Sequence, residues 1–159
     1  MAAKNKKRCN TQVCIASMQY NGLNYYLNQF AKFVLIFESR LKHLKKELQF
    51  SHQFPRSLTY FNDIIKNCVV HATKEEILVK RKFTGKKKAT LFFTNNGCQF
   101  HGFLTHLRNS FCHNLLAVDN SNLLISDKSR DKQFCCKGYL NNSSVIELLK
   151  KIIAEYEKQ

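Results

Sequence analysis

One stretch of the chain places a guanidinium, an amide and an imidazole where they can work on a phosphate. The run HGFLTHLRNSFCHN, from His101 to Asn114, reads as a helix. At about 100° per residue, His106, Asn109, Ser110 and His113 fall within roughly 100° of arc. Phe100, Phe103, Leu104, Leu107 and Phe111 form an apolar stripe on the opposite side. Arg108 sits at the far flank of that stripe, roughly 140° around from His113 and about 7.5 Å along the axis. Arginine is a permanent bidentate clamp for phosphate. Histidine moves protons near neutral pH, and asparagine orients its neighbours. Arg108, Asn109 and His113 are therefore the candidate catalytic set for cleaving a phosphodiester through its own 2′-hydroxyl. His106 is expected as a nucleic-acid contact beside them. Since Arg108 and His113 of one helix point different ways, the missing half of an acid–base pair is expected from a second copy across a two-fold axis.

The charge agrees with a polyanionic partner. Lys and Arg number 26 against 11 Asp and Glu, a net charge of +15, with a pI near 9.7. Such an excess is costly through self-repulsion and serves no small neutral substrate. It is also uneven: residues 1–88 carry a net +13 and residues 89–159 a net +2. Three clusters hold most of it, Lys4–Arg8, Arg40–Lys46 and the KRKFTGKKK run of residues 80–88. Lys80, Arg81, Lys82, Lys86, Lys87 and Lys88 in the last of these are candidate nucleic-acid-binding residues. Cys98-x-x-His101 and Cys112-His113 offer zinc ligands on paper, but the Cys-x-x-Cys pair that marks zinc sites is missing. With so few acids, a two-metal nuclease is disfavoured. No metal and no cofactor are expected.

The elements that must position these residues follow from periodicity. Phe30, Phe33, Val34, Phe37, Leu41, Leu44 and Leu48 lie on one helical stripe, predicting a helix that starts between Asn21 and Asn28 and ends before Pro55. A second helix is expected over Ser57–His71, with Leu58, Phe61, Ile65, Cys68 and Val69 on one face. Ile77–Phe83 and Ala89–Phe93 read either as a β-hairpin with a basic tip or as a helix followed by a loop. Asn95-Asn96-Gly97 breaks the chain before the helix that carries the Arg108 set. Asn122–Ser126 and Lys132–Leu140 form a hairpin around Asp127–Asp131. Ser144 and Glu147 are spaced as a capping box opening a last helix, whose core face is Val145, Leu148, Leu149, Ile152 and Ile153. The expected fold class is mainly α: a helical bundle of about four helices with a small β-hairpin before the C-terminal helix. Residues 1–159 make a single domain, with 1–20 a loose basic N-terminal segment.

Seven cysteines, odd in number, irregularly spaced and two of them adjacent, point away from a secreted disulfide framework. No signal peptide is read, and the most apolar run, Phe33–Phe37, is far short of the roughly 20 residues a membrane span requires. A soluble, cytoplasmic protein with no membrane partner is expected.

The string HLRNSFCHN resembles the Arg-x4-6-His signature of the HEPN superfamily, an apolar helix running into Arg-Asn and then His with a small polar residue after it. The hairpin and capped C-terminal helix that follow resemble one bacterial branch of that superfamily, so the specific likeness covers about 15 residues and the architectural one roughly residues 97–159. The resemblance implies a metal-independent endoribonuclease, a homodimer in which two motifs face each other, and RNA as substrate with a 2′,3′-cyclic phosphate end as product. It also implies a toxin or phage-defence role, with room for a cognate antitoxin or regulator. Set against it stands a non-catalytic basic nucleic-acid-binding module that uses residues 80–88 as a finger, or a domain that only docks a protein partner.

Overall fold

The structure, a computed structural model, describes residues 20–71, 90–94, 97–119 and 121–159. Among these, five α-helices and five strands follow one another as α1 (Tyr20–Ser39), a 3-10 turn (Leu41–His43), α2 (Glu47–Gln53), α3 (Pro55–Cys68), β1 (Val69–His71), β2 (Thr90–Phe93), α4 (Gln99–Cys112), β3 (Ala117–Asp119), β4 (Asn122–Lys128), β5 (Phe134–Asn141) and α5 (Asn142–Tyr156). The molecule is mainly α, but it is not the plain bundle of about four helices that periodicity suggests. The β4–β5 hairpin is the centre of a sheet ordered β1-β2-β5-β4-β3. Four of its strands are antiparallel, and β1 is added to β2 in parallel.

The expected first helix is broken. After Ser39 the chain makes the 3-10 turn, passes through extended Leu44 (φ −84°, ψ 101°) and restarts as α2. The break lets Phe50 and Phe54 turn inward to complete burial, while Leu48, on the stripe of an unbroken helix, is left 67% exposed. Full burial of an apolar side chain is worth about 1.5–3 kcal/mol, so two phenyl rings outweigh one leucine. Phe30, Phe33, Phe37, Leu41 and Leu44 are buried as the stripe requires.

Pro55 opens α3 at its first position, where a missing N–H costs nothing. The helix is shorter than expected: it ends at Cys68, and Val69–His71 switches to strand. Thr90–Phe93 is a strand, paired on one side with β1 and on the other with β5. The first arm and basic tip of the expected 77–93 hairpin lie outside the described residues, as does the segment 1–19.

The last helix starts earlier than the Ser144–Glu147 box. Asn141 is its cap, the side-chain oxygen accepting from the Ser144 N–H at 3.2 Å. Glu147 turns along the helix to Lys151 at 3.1 Å. Val145, Leu148, Leu149, Ile152 and Ile153 are buried as read from the sequence. The core joins these residues to a phenylalanine cluster in which Phe61 packs 4.7 Å from Phe100 and 5.3 Å from Phe103.

Candidate active site

α4 lies against the sheet face formed by alternate residues of the central hairpin. Leu123, Ile125 and Asp127 of β4 and Cys136 and Leu140 of β5 are buried on it, as the period of two requires. The apolar stripe of α4, Phe100, Phe103, Leu104 and Leu107, is fully buried, and Phe111 stacks on Phe30 of α1 at 5.0 Å. The helix then stops sharply. Asn114 adopts φ 54°, a left-handed conformation that asparagine tolerates better than most residues. Its N–H bonds to the Phe111 carbonyl at 3.1 Å, and the Leu115 N–H to the Ser110 carbonyl at 2.7 Å. That pair is a Schellman closure. It fixes His113 as the capping residue, exposed, with no hydrogen bond, ion pair or ring contact to another side chain among the described residues.

The polar arc expected to meet solvent is divided. His106 is only 8% exposed and Ser110 is fully buried, so His106 does not stand at a nucleic-acid surface. Ser110 Oγ reaches the carbonyls of His106 and Ser126. His106 Nδ1 lies 2.8 Å from Asp127 Oδ2, and Nε2 lies 2.8 Å from the Thr94 carbonyl. The ring is thus pinned at both nitrogens, with the Thr94 hydroxyl a further 3.4 Å neighbour of Nε2. Burial works to raise the Asp127 carboxyl, but hydrogen bonds from His106 and Asn109 outweigh it and hold that carboxyl below its ordinary range. Burial, helped by the neighbouring Asp127 charge, pushes the Cys136 thiol well up.

The open arc of α4 is the one that carries Arg108. His101, Thr105, Arg108 and Asn109 are half-buried and Cys112 is exposed. Arg108 is held from two sides: one terminal nitrogen pairs with Glu38 of α1, and the other donates to Asn109 Oδ1 at 3.0 Å. Asn109 Nδ2 in turn donates to Asp127 Oδ2 at 3.0 Å. A continuous, donor-to-acceptor chain therefore runs from the buried His106–Asp127 pair through Asn109 to the Arg108 guanidinium. Glu38 also accepts from Lys42 at 3.2 Å. That ammonium, against some desolvation, and then the guanidinium hold the Glu38 carboxyl below its ordinary value.

Of the expected catalytic set, Arg108 and Asn109 are in direct contact, while His113 stands apart at the helix end. Glu38 is the residue that reading the motif alone misses. Its signal was its isolation, as the sole acid among residues 1–46. Lys80, Arg81, Lys82, Lys86, Lys87 and Lys88 lie outside the described residues. Among the described residues no three His, Cys, Asp or Glu side chains gather as metal ligands, and the paper zinc set is split between buried Cys98 and exposed Cys112. No helix among them is long and apolar enough to cross a membrane.

One further feature adjoins Arg108. On the α1 wheel, Leu27, Ala31, Leu35 and Glu38 fall within roughly 80° of arc. Glu38 touches Arg108, so this arc flanks the open face of α4. Leu27 is 43% and Leu35 71% exposed, and Ala31 is exposed between them.

Compared with known proteins, the chain matches no family model, no curated protein sequence and no solved structure.

Proposed function

We propose that this protein is a metal-independent endoribonuclease of HEPN type, working as a homodimer whose cleft takes Arg108 from one protomer and His113 from its partner. The observation that carries the reading is the end of α4. A guanidinium is held in place by Glu38 and Asn109, and one turn on an exposed imidazole is left with no structural duty. The two point roughly 140° apart on one helix, so a two-fold axis is what brings them to one phosphate. The apolar strip Leu27–Ala31–Leu35 beside Arg108 supplies the self-complementary face. α1 is also suited by charge, since Lys32 and Glu38 are its only charged residues in a chain of net +15.

In the reaction the 2′-oxygen attacks phosphorus and the bond to the 5′-oxygen breaks. His113 takes the 2′-hydroxyl proton, and the leaving oxygen receives a proton from water. Arg108 stabilises the added negative charge of the five-coordinate transition state, help worth on the order of 10²–10³ in rate for such a donor. Asn109 positions Arg108 and does not itself handle the proton. The products are a 2′,3′-cyclic phosphate and a 5′-hydroxyl. A toxin or phage-defence role in the cytoplasm, under control of an antitoxin or regulator, is part of the same reading.

The Glu38 ion pair favours a second reading, in which Arg108 is structural and the protein binds nucleic acid without cutting it. One experiment separates them. Wild-type, Arg108→Ala and His113→Ala proteins are incubated with mixed RNA in EDTA and the end groups are read. Cyclic phosphate ends from wild type alone support the nuclease; intact RNA with all three supports the binder.

A further inference from the structure

Of the basic cluster at residues 40–46, Lys42 pairs with Glu38, and Arg40 opens onto a second feature. Arg40, His52, Arg56 and Lys158 line a cleft of about 510 Å³ where the turn after α1, the end of α2, the start of α3 and the end of α5 meet. All four side chains are exposed. Among the described residues, Arg40, Arg56 and Lys158 enter no ion pair. The cleft's one acid, Glu155, is already committed: its two oxygens accept the first-turn N–H groups of Arg56 at 2.8 Å and Ser57 at 3.0 Å. It caps α3 and makes no direct ion pair with any of the three cations. Arg40 is also preset, its Nε donating to Gln53 Oε1 at 2.8 Å.

We propose that this cleft is a docking groove for the sugar–phosphate backbone of single-stranded RNA, a second contact that holds the substrate while Arg108 and His113 cut it. The inference rests on the nuclease reading for the identity of its ligand. Two guanidinium groups and an ammonium around one opening suit successive phosphates. Apart from Glu155, the lining side chains are cationic or polar. No stacking platform for bases is present beyond His52, so the groove positions RNA and does not select its sequence. Arg40 follows Glu38 by two residues, roughly 200° around the axis of α1, and Glu38 holds Arg108, so a strand that contacts both passes around the C-terminal end of α1.

The test measures binding, so that it does not depend on catalysis. Full-length protein carrying His113→Ala is titrated with a labelled single-stranded RNA over a range of salt, with and without Arg40→Gln plus Arg56→Gln. The groove predicts about tenfold weaker binding at moderate salt. It also predicts a slope of log K against log salt that is shallower by about 1.4, at about 0.7 for each phosphate the two arginines no longer neutralise. The loss is the same for RNAs of different sequence, and polyglutamate does not compete. Unchanged affinity and slope in a variant that melts like its parent overturns the groove. So does displacement of RNA by polyglutamate at equal charge, which assigns the cleft to an acidic protein. If that variant does not fold, Lys158→Gln with Arg56→Gln is read by the same criteria. If the arginine variant shows the predicted binding loss while wild-type protein never cleaves RNA, the nuclease reading falls and the groove stands.

Discussion

Asn109 faces two ways: its amide nitrogen donates to the buried carboxylate of Asp127, and its carbonyl oxygen accepts from Arg108 at the surface. Each of those distances is 3.0 Å, and each fixes the orientation of the amide for the other. The core of the sheet thereby dictates where a surface guanidinium points.

The buried end of that chain should be sensitive to loss of charge. Asp127→Asn replaces the carboxylate oxygen that His106 Nδ1 and Asn109 Nδ2 share. A loss of about 2 kcal/mol is expected, a fall in Tm of roughly 6 °C for a domain of this size. The Asp127 carboxyl is depressed in the folded protein. Its contribution is therefore present above the ordinary carboxyl value of 3.8 and is lost as pH falls through the depressed one. Denaturant midpoints of wild type and variant should differ at neutral pH and converge in acid.

Glu38 is partly exposed, so its pair with Arg108 contributes little to stability. Glu38→Gln should leave the unfolding midpoint nearly unchanged. By releasing Arg108 it should lower kcat about tenfold with KM little changed, since the guanidinium acts on the transition state. An equal change in KM alone would assign Glu38 to substrate binding.

The helix end depends on a left-handed residue. Asn114→Ala forces a Cβ-bearing residue without the asparagine side chain into φ 54°, at a cost of about 1 kcal/mol. It should also loosen the turn that presents His113. Asn114→Gly, which adopts that conformation readily, should restore both stability and cleavage. Failure of glycine to rescue would show that the asparagine side chain itself is needed.

How far the sequence disclosed this arrangement differs by element. The apolar stripes of α4 and α5 and the strands of the hairpin were readable, because each is a local period set by one buried face. The partition of the α4 polar arc was not. A helical wheel shows His106 and Ser110 beside Asn109 and His113, but burial is decided by β4, which brings the Ser126 carbonyl and Asp127 carboxylate over from 16 to 21 residues away. A histidine pairs with a carboxylate only after the chain folds, so periodicity alone assigns it to water. Leu48 failed for a related reason: the stripe is correct for an unbroken helix, and the non-local demand of Phe50 and Phe54 broke it. Glu38 carried a compositional signal but no spacing to Arg108, since 70 positions separate them in the sequence.

The exposed strip on α1 predicts the assembly. Leu35→Asp, at a position 71% exposed, should leave the monomer folded and convert a dimer in sedimentation into a monomer. Cleavage should fall to background with it. A variant that stays active as a monomer would separate the strip from catalysis.

The composite cleft itself is tested by mixing two inactive proteins. Arg108→Ala and His113→Ala are each purified, shown not to cleave RNA in EDTA, then combined under conditions that exchange protomers. Each heterodimer contains one cleft with both groups intact, so about a quarter of wild-type cleavage should return, with cyclic phosphate ends. Mixtures that exchange protomers and remain inactive would show that the guanidinium and imidazole do not act across the two-fold axis.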